Sequence, residues 1–316
     1  MQRKQISRPK AKTKLPSASC LTLWYFRFWY SALKSEYLPR KILQKYLDVS
    51  FGRLISSPQR RRALPWLSKS LISKISFIFL NCYPLKKLIP LVVNLGFFFD
   101  RMIEYSVALR NAPICSGEVL LDIGPFYSFF PSFLSSQSYT VAIDINRDAM
   151  IFQKKVSKTM GKKISERLEC VIADSTRLPF RDTALDKIFV ISTIEHIAND
   201  DIVAKECGRV LRHDGFCAMS FPFSKSPKKP LIKPYYCRFY TRKMIQDRID
   251  FPSLLSLEKL FTFSKTFLSS FYSAVPEGWF IFKDLVLGLT LFKLETFLFP
   301  KNDEGNLAVI KLCKHI

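Results

Sequence analysis

The chain has 316 residues, 48% of them hydrophobic, enough apolar material for one large domain or for a domain with an extension. Its formal charge of +23 is lopsided, because residues 1–90 hold 19 Lys and Arg against only Glu36 and Asp48, a net of +17, leaving +6 for residues 91–316. Eight scattered cysteines without a CxxC pair or a Cys/His cluster argue against a zinc site and read as reduced thiols, so no metal is expected.

Taken in chain order, residues 1–19 are polar and basic and carry too little apolar surface to order themselves. Residues 20–90 mix aromatics with Lys and Arg around Pro39, Pro58, Pro65, Pro84 and Pro90, which predicts short helices broken at those prolines. Arg60-Arg61-Arg62 is the densest charge run. One reading is a solvated basic surface that packs its aromatics on the main domain. The other is an anchor on an anionic membrane surface or on nucleic acid. No RNA-binding module is recognisable, which favours packing or a membrane surface over RNA. Residues 1–35 contain no acid and Leu21–Leu33 is aromatic-rich, a faint targeting signal that Arg27 interrupts.

No stretch reaches 18 uninterrupted apolar residues. Leu88–Phe99 is short, and Trp279–Phe299 carries Lys283, Asp284, Lys293 and Glu295. A cytoplasmic protein, or one held peripherally at a membrane, is therefore expected.

Helical spacing of Met102, Tyr105 and Leu109 predicts a helix over Phe97–Asn111. A strand candidate, Val119–Gly124, then opens a series. Tyr139–Ile145, Leu168–Ala173, Asp186–Ser192 and Gly215–Pro222 follow, the last after a tight His213-Asp214-Gly215 turn, with helices expected at Phe129–Ser136, Asp148–Met160 and Asp200–Leu211. The buried side of that last helix is expected to carry Ile202, Val203, Cys207 and Val210. Thr241 can cap a short helix to Ile249. Leu254–Phe263 and Leu307–Cys313 read as sixth and seventh strands, separated by an apolar insertion at about 264–300 whose stripes suit a core, a lipophilic pocket or membrane contact. Each early strand ends near a polar residue, and open α/β sheets bind ligands at those carboxyl ends.

These pieces together resemble a class I S-adenosylmethionine-dependent methyltransferase of the type 11 kind. The matching stretches are Val119–Gly124, Val141–Asp144, Ala173–Phe180, Asp186–His196 and Val210–Phe216, in the family's order. The resemblance covers roughly residues 95–316 and implies a Rossmann-like seven-stranded sheet, mostly parallel with the last strand antiparallel and helices on both faces. It divides the chain into a basic N-terminal extension, 1–90, and a methyltransferase-like domain, 91–316.

The same resemblance implies the site. Asp122 and Gly124 would approach the methionine part of S-adenosylmethionine, Asp144 with Ile145 the ribose, and Asp174 with Ser175 the adenine. Phe126 and Ser192 border the cofactor, and Glu195 with His196 sit where a proton could be taken from an attacking hydroxyl or amine. Arg238 and Tyr240, beyond the Pro222–Pro230 loop, are acceptor candidates, and that loop's lysines suit an anionic acceptor. Plainer roles exist for several of these residues. Asp122 can satisfy backbone N–H groups, Asp144 can cap a helix, Asp174 can form a turn, and Glu195-His196 can order its loop.

The first motif departs from the pattern D-x-G-x-G-x-G, since Phe126 and Ser128 replace the second and third glycines. A non-catalytic interaction protein is the alternative this departure raises. The chain lacks both Asn/Asp-Pro-Pro-Tyr/Phe after the fourth strand and a Pro-Cys dipeptide, which lowers the case for a nucleic-acid substrate. The expected reaction is methyl transfer to oxygen or nitrogen of a small-molecule, lipid-linked or sugar-linked acceptor, with RNA methylation through the basic N-terminal region as a further alternative.

Overall fold

A computed structural model describes residues 104–230, 236–250, 255–263 and 307–314, together with residues 21, 24, 27, 28, 31, 74, 101 and 232. The expectations for the Arg60–Arg62 run and for the insertion at 264–300 fall outside these residues.

Seven strands form one sheet: β1 Val119–Ile123, β2 Tyr139–Asp144, β3 Leu168–Ile172, β4 Leu185–Ile191, β5 Leu211–Pro222, β6 Ser256–Phe263 and β7 Leu307–Cys313. Their spatial order is β3-β2-β1-β4-β5-β7-β6. The first five run parallel, whereas β7 pairs antiparallel with both β5 and β6. The order reverses between β1 and β4, so their carboxyl ends open the crevice where such sheets bind ligands.

The sheet is covered on both faces because its strands alternate with period two. On β1, Leu120 enters one core while Leu121 and Ile123 enter the other. On β4, Phe189 and Ile191 face the first core, and Ile188 and Val190 the second. Around the sheet lie α1, which includes 104–111, then α2 Phe130–Gln137, α3 Arg147–Met160, α4 Lys162–Arg167, α5 Asp200–Val210 and α6 Arg242–Ile245. Asn146 caps α3 by accepting the Ala149 N–H at 3.0 Å, and Thr241 caps α6 through the Met244 N–H at 3.2 Å.

Four details differ from the sequence reading. Gly161, with φ +132°, ends α3 and starts α4, a helix the sequence reading passed over. β5 begins at Leu211 and runs through the expected turn: Asp214 takes φ +60°, its N–H donates to Lys314 O, and Lys314 N–H returns a bond to Gly215 O. The sheet pairing thus absorbs the irregularity. Ile202 is exposed on α5, where Ala204 is buried beside Val203, Cys207 and Val210. The chain after Thr241 tightens into a short α6 and then widens to a π turn, Gln246–Asp250.

Part of the N-terminal region joins the first core. Leu21 and Phe28 are fully buried, and Phe28 meets Phe152 of α3 edge-to-face at 5.7 Å. Trp24 does the same with Phe133 of α2, and Arg27 donates to Met160 O at 2.7 Å.

Candidate functional site

The carboxyl end of β1 sets the site's floor. Asp122 is 2% exposed, and its Oδ2 has no hydrogen-bond partner among the described residues. Burial first, and the nearby Asp144 charge second, push its carboxyl well above the usual range. A buried carboxyl oxygen left open at a crevice suits a donor or cation from a ligand.

Gly124 follows with φ +68°, and its N–H donates to Ile143 O of β2 at 2.8 Å. A Cβ here would lie 2.2 Å from Thr193 Cγ2, so only glycine admits the chain after β4 this close to the β1 turn. Thr193 Oγ1 lies 3.1 Å from both Gly124 O and Ile191 O and ties the two loops together.

Asp144 ends β2 with both oxygens engaged: Oδ1 accepts the Asn146 N–H at 2.8 Å and Oδ2 the Phe126 N–H at 3.2 Å. Burial raises its pKa and these backbone bonds oppose the rise. The helix cap it might have supplied comes from Asn146 instead. Each carboxylate oxygen accepts more than one bond, so Asp144 keeps capacity for hydroxyl donors. Ile145 beside it is 75% exposed, an apolar surface at the crevice edge. The β3 end carries Asp174, which is exposed and forms a turn through its Oδ1 and the Thr176 N–H at 2.8 Å, with Ser175 buried next to it.

The opposite wall is polar. Ser192, at φ +46°, donates its hydroxyl to Glu104 Oε1 of α1 at 2.6 Å, and Arg101 Nη1 holds Glu104 Oε2 at 2.5 Å. Glu195 is 3% exposed, with Oε2 unpartnered among the described residues. Burial pushes its pKa up to about 8, its own backbone N–H and Arg101 opposing. His196 Nδ1 lies 2.7 Å from Tyr236 O. A carbonyl only accepts, so Nδ1 carries the proton and the neutral ring keeps Nε2 as its basic nitrogen. Burial lowers the His196 pKa. His196 Nε2 stands 3.8 Å from Glu195 Oε1.

The acceptor candidates Arg238 and Tyr240 meet a buried carboxylate. Tyr240 is fully buried and donates to Asp200 Oδ2 at 2.6 Å, while Arg238 pairs with Asp200 and donates to Ala198 O at 3.1 Å. Arg248 completes the cluster. Their polar groups serve a buried carboxylate, because Asp200 has no water to balance its charge. Conversely, Arg101, Glu104 and Thr193, which the sequence reading passed over, join a network through Ser192 and Gly124. Their sequence signal is the helix predicted over Phe97–Asn111 and a polar residue following β4. Among the described residues, no group of His, Cys, Asp and Glu could hold a metal ion, and no helix is long and apolar enough to cross a membrane.

The fold and the crevice define an open α/β sheet of the class I methyltransferase type. Residues 121–219 match the family model described as a methyltransferase domain. Among solved structures it is similar to the (4+2)-cyclase SpnF, with TM-score 0.50 and 13% identity over 69% of this chain and 82% of that one. It also resembles a geranyl diphosphate methyltransferase, with TM-score 0.49 and 13% identity over 72% and 82% of the two chains. A third similar structure is Haemonchus contortus phosphoethanolamine N-methyltransferase 2, with TM-score 0.45 and 13% identity over 71% and 57%. No relative of significant similarity is found among curated proteins. At 13% identity the likeness to SpnF speaks for the fold alone, and that protein is a cyclase, so its chemistry does not carry over.

Proposed function

We propose that the domain binds S-adenosylmethionine in the crevice between β1 and β4 and transfers its methyl group to oxygen or nitrogen of a small-molecule or lipid-linked acceptor. The observation that carries this is the linkage of three strand ends at the switch point: Gly124 N–H to Ile143 O, Phe126 N–H to Asp144 Oδ2, and Thr193 Oγ1 to Gly124 O. When bound, the cofactor supplies an electrophilic methyl group on sulfur.

The residues fit that ligand. Asp122 offers an open carboxyl oxygen to an ammonium group, Gly124 lets the Thr193 loop close on the β1 turn, and Arg101, 36% exposed at its side chain, offers a cation to a carboxylate. Asp144 offers ribose acceptors, Ile145 an apolar face for adenine, and Asp174 with Ser175 polar groups for its edge. Ser192 shapes the wall through Glu104.

On the acceptor side, His196 Nε2 takes the proton released when an acceptor hydroxyl or amine gains the methyl group. Glu195 is protonated at neutral pH by virtue of its raised pKa. Its Oε1 stands 3.8 Å from His196 Nε2 and flanks the ring. The unit for this activity is residues 91–316, with 1–90 as an extension, part of which packs on the domain core. Vesicle flotation with and without anionic lipid tests the peripheral-membrane setting.

Calorimetric titration of the full-length protein with S-adenosylmethionine and S-adenosylhomocysteine is the direct test. Saturable binding weakened at least about tenfold in Asp144→Ala is expected, a loss of about 1.4 kcal/mol. His196→Gln should keep cofactor affinity and lose roughly 10²–10⁴ in transfer to small molecules of a cell extract. A folded protein that binds neither ligand sinks the proposal and leaves the non-catalytic reading.

A further inference from the structure

Phe126 occupies a backbone position made for glycine. Its φ is +51°, in the left-handed region where a bulky side chain is an outlier. Three contacts hold it there. Its N–H donates to Asp144 Oδ2 at 3.2 Å, its carbonyl accepts from Gln153 Nε2 at 3.0 Å, and its ring meets Tyr127 edge-on at 4.5 Å. The same Gln153 nitrogen donates to Ser128 O at 2.7 Å. Gln153 thus spans the loop from α3 and spends both amide protons on it.

The cost of that arrangement argues for a purpose. Gln153 is fully buried, and its Oε1 has no hydrogen-bond partner among the described residues. Both short contacts are to carbonyl oxygens, which accept only, so the amide orientation is fixed by chemistry. A methionine would fill similar volume without burying an unsatisfied oxygen. Packing alone does not call for glutamine here.

We propose that Gln153 is a positioning residue for the cofactor, clamping Phe126–Ser128 in the left-handed turn that glycines would otherwise adopt unaided. The clamp also reaches β2, because the residue it fixes is the one whose N–H orients Asp144. A loop lacking the second and third glycines of its motif thereby keeps a cradle and a ribose-facing carboxylate. The inference rests on the cofactor reading above.

The test is a double-mutant cycle on the full-length protein, read by calorimetric titration with S-adenosylhomocysteine and with folding checked by circular dichroism. Gln153→Met should weaken binding about tenfold, equivalent to about 1.4 kcal/mol. In a Phe126→Gly background, where the turn no longer needs holding, the same substitution should cost about twofold or less. Wild-type affinity in Gln153→Met overturns the clamp, as does an equal loss in both backgrounds, which would mark a merely structural role. Should Gln153→Met fail to fold, Gln153→Asn keeps a buried amide but is one methylene too short to span both carbonyls. It should weaken binding, and wild-type affinity there equally overturns the proposal. A folded wild-type protein that binds no S-adenosylhomocysteine instead refutes the cofactor reading itself.

Discussion

Replacing Gly124 by alanine should destabilise the domain strongly. Two independent terms add. At φ +68° an alanine pays about 1 kcal/mol that glycine does not. The new Cβ would also lie 2.2 Å from Thr193 Cγ2, 2.7 Å from Oγ1 and 3.0 Å from Cβ. Thr193 cannot simply turn aside, because it is β-branched and its hydroxyl is held at 3.1 Å by two carbonyls. Overpacking of this kind costs about 1–3 kcal/mol, and losing the hydroxyl's bond about 1 kcal/mol more. The expected total is about 3–5 kcal/mol, a large share of the 5–15 kcal/mol of a typical domain. Urea titration followed by circular dichroism measures it on the full-length protein. In a Thr193→Ala background the collision mostly disappears and the cost should fall to about 1–2 kcal/mol. A loss below about 0.5 kcal/mol for Gly124→Ala, or the same loss in both backgrounds, would refute the close-approach argument.

Glu195 predicts a pH signature. Burial pushes its pKa up to about 8 in the folded chain, against 4.5 for an ordinary glutamate side chain. Between those values the folded state binds the extra proton, so stability falls as pH rises, by about 1 kcal/mol per unit, and levels off above pH 8. Melting curves of Glu195→Gln should therefore gain on the wild type from pH 5 to pH 8; parallel curves would show that Glu195 is not buried as described. Asp200→Asn should destabilise by about 3–5 kcal/mol in denaturant, because Arg238 and Arg248 lose their buried counter-charge, and a neutral result would contradict the cluster. Phe28→Ala should cost about 3–5 kcal/mol by the same measurement, since that ring is fully buried against Phe152. An N-terminal segment that merely floats beside the domain would leave stability unchanged.

The sheet was legible because strand patterning is local. Leu120, Leu121 and Ile123 alternate between two cores as their spacing requires, and Leu307–Cys313 was read to the residue. The places of Asp122, Gly124 and Asp144 at the ends of β1 and β2 were legible for the same reason. Ile202 was misassigned because helical periodicity fixes a stripe only to within a neighbouring position, and packing chose Ala204.

What only the tertiary structure decided is which polar groups meet. Ser192 and Glu104 are 88 residues apart, and Arg248 and Asp200 are 48 apart. Tyr240 and Asp200 are 40 residues apart, and that buried carboxylate also engages Arg238. Gln153, an ordinary helix residue in sequence, turns out to hold the β1 loop. The sequence by itself determined the strands, their order of polar endings and the glycine-poor turn, because backbone propensity and apolar alternation act over a few residues. Partner choice among charged and amide groups depends on burial, which exists only once distant segments have excluded water from the same place.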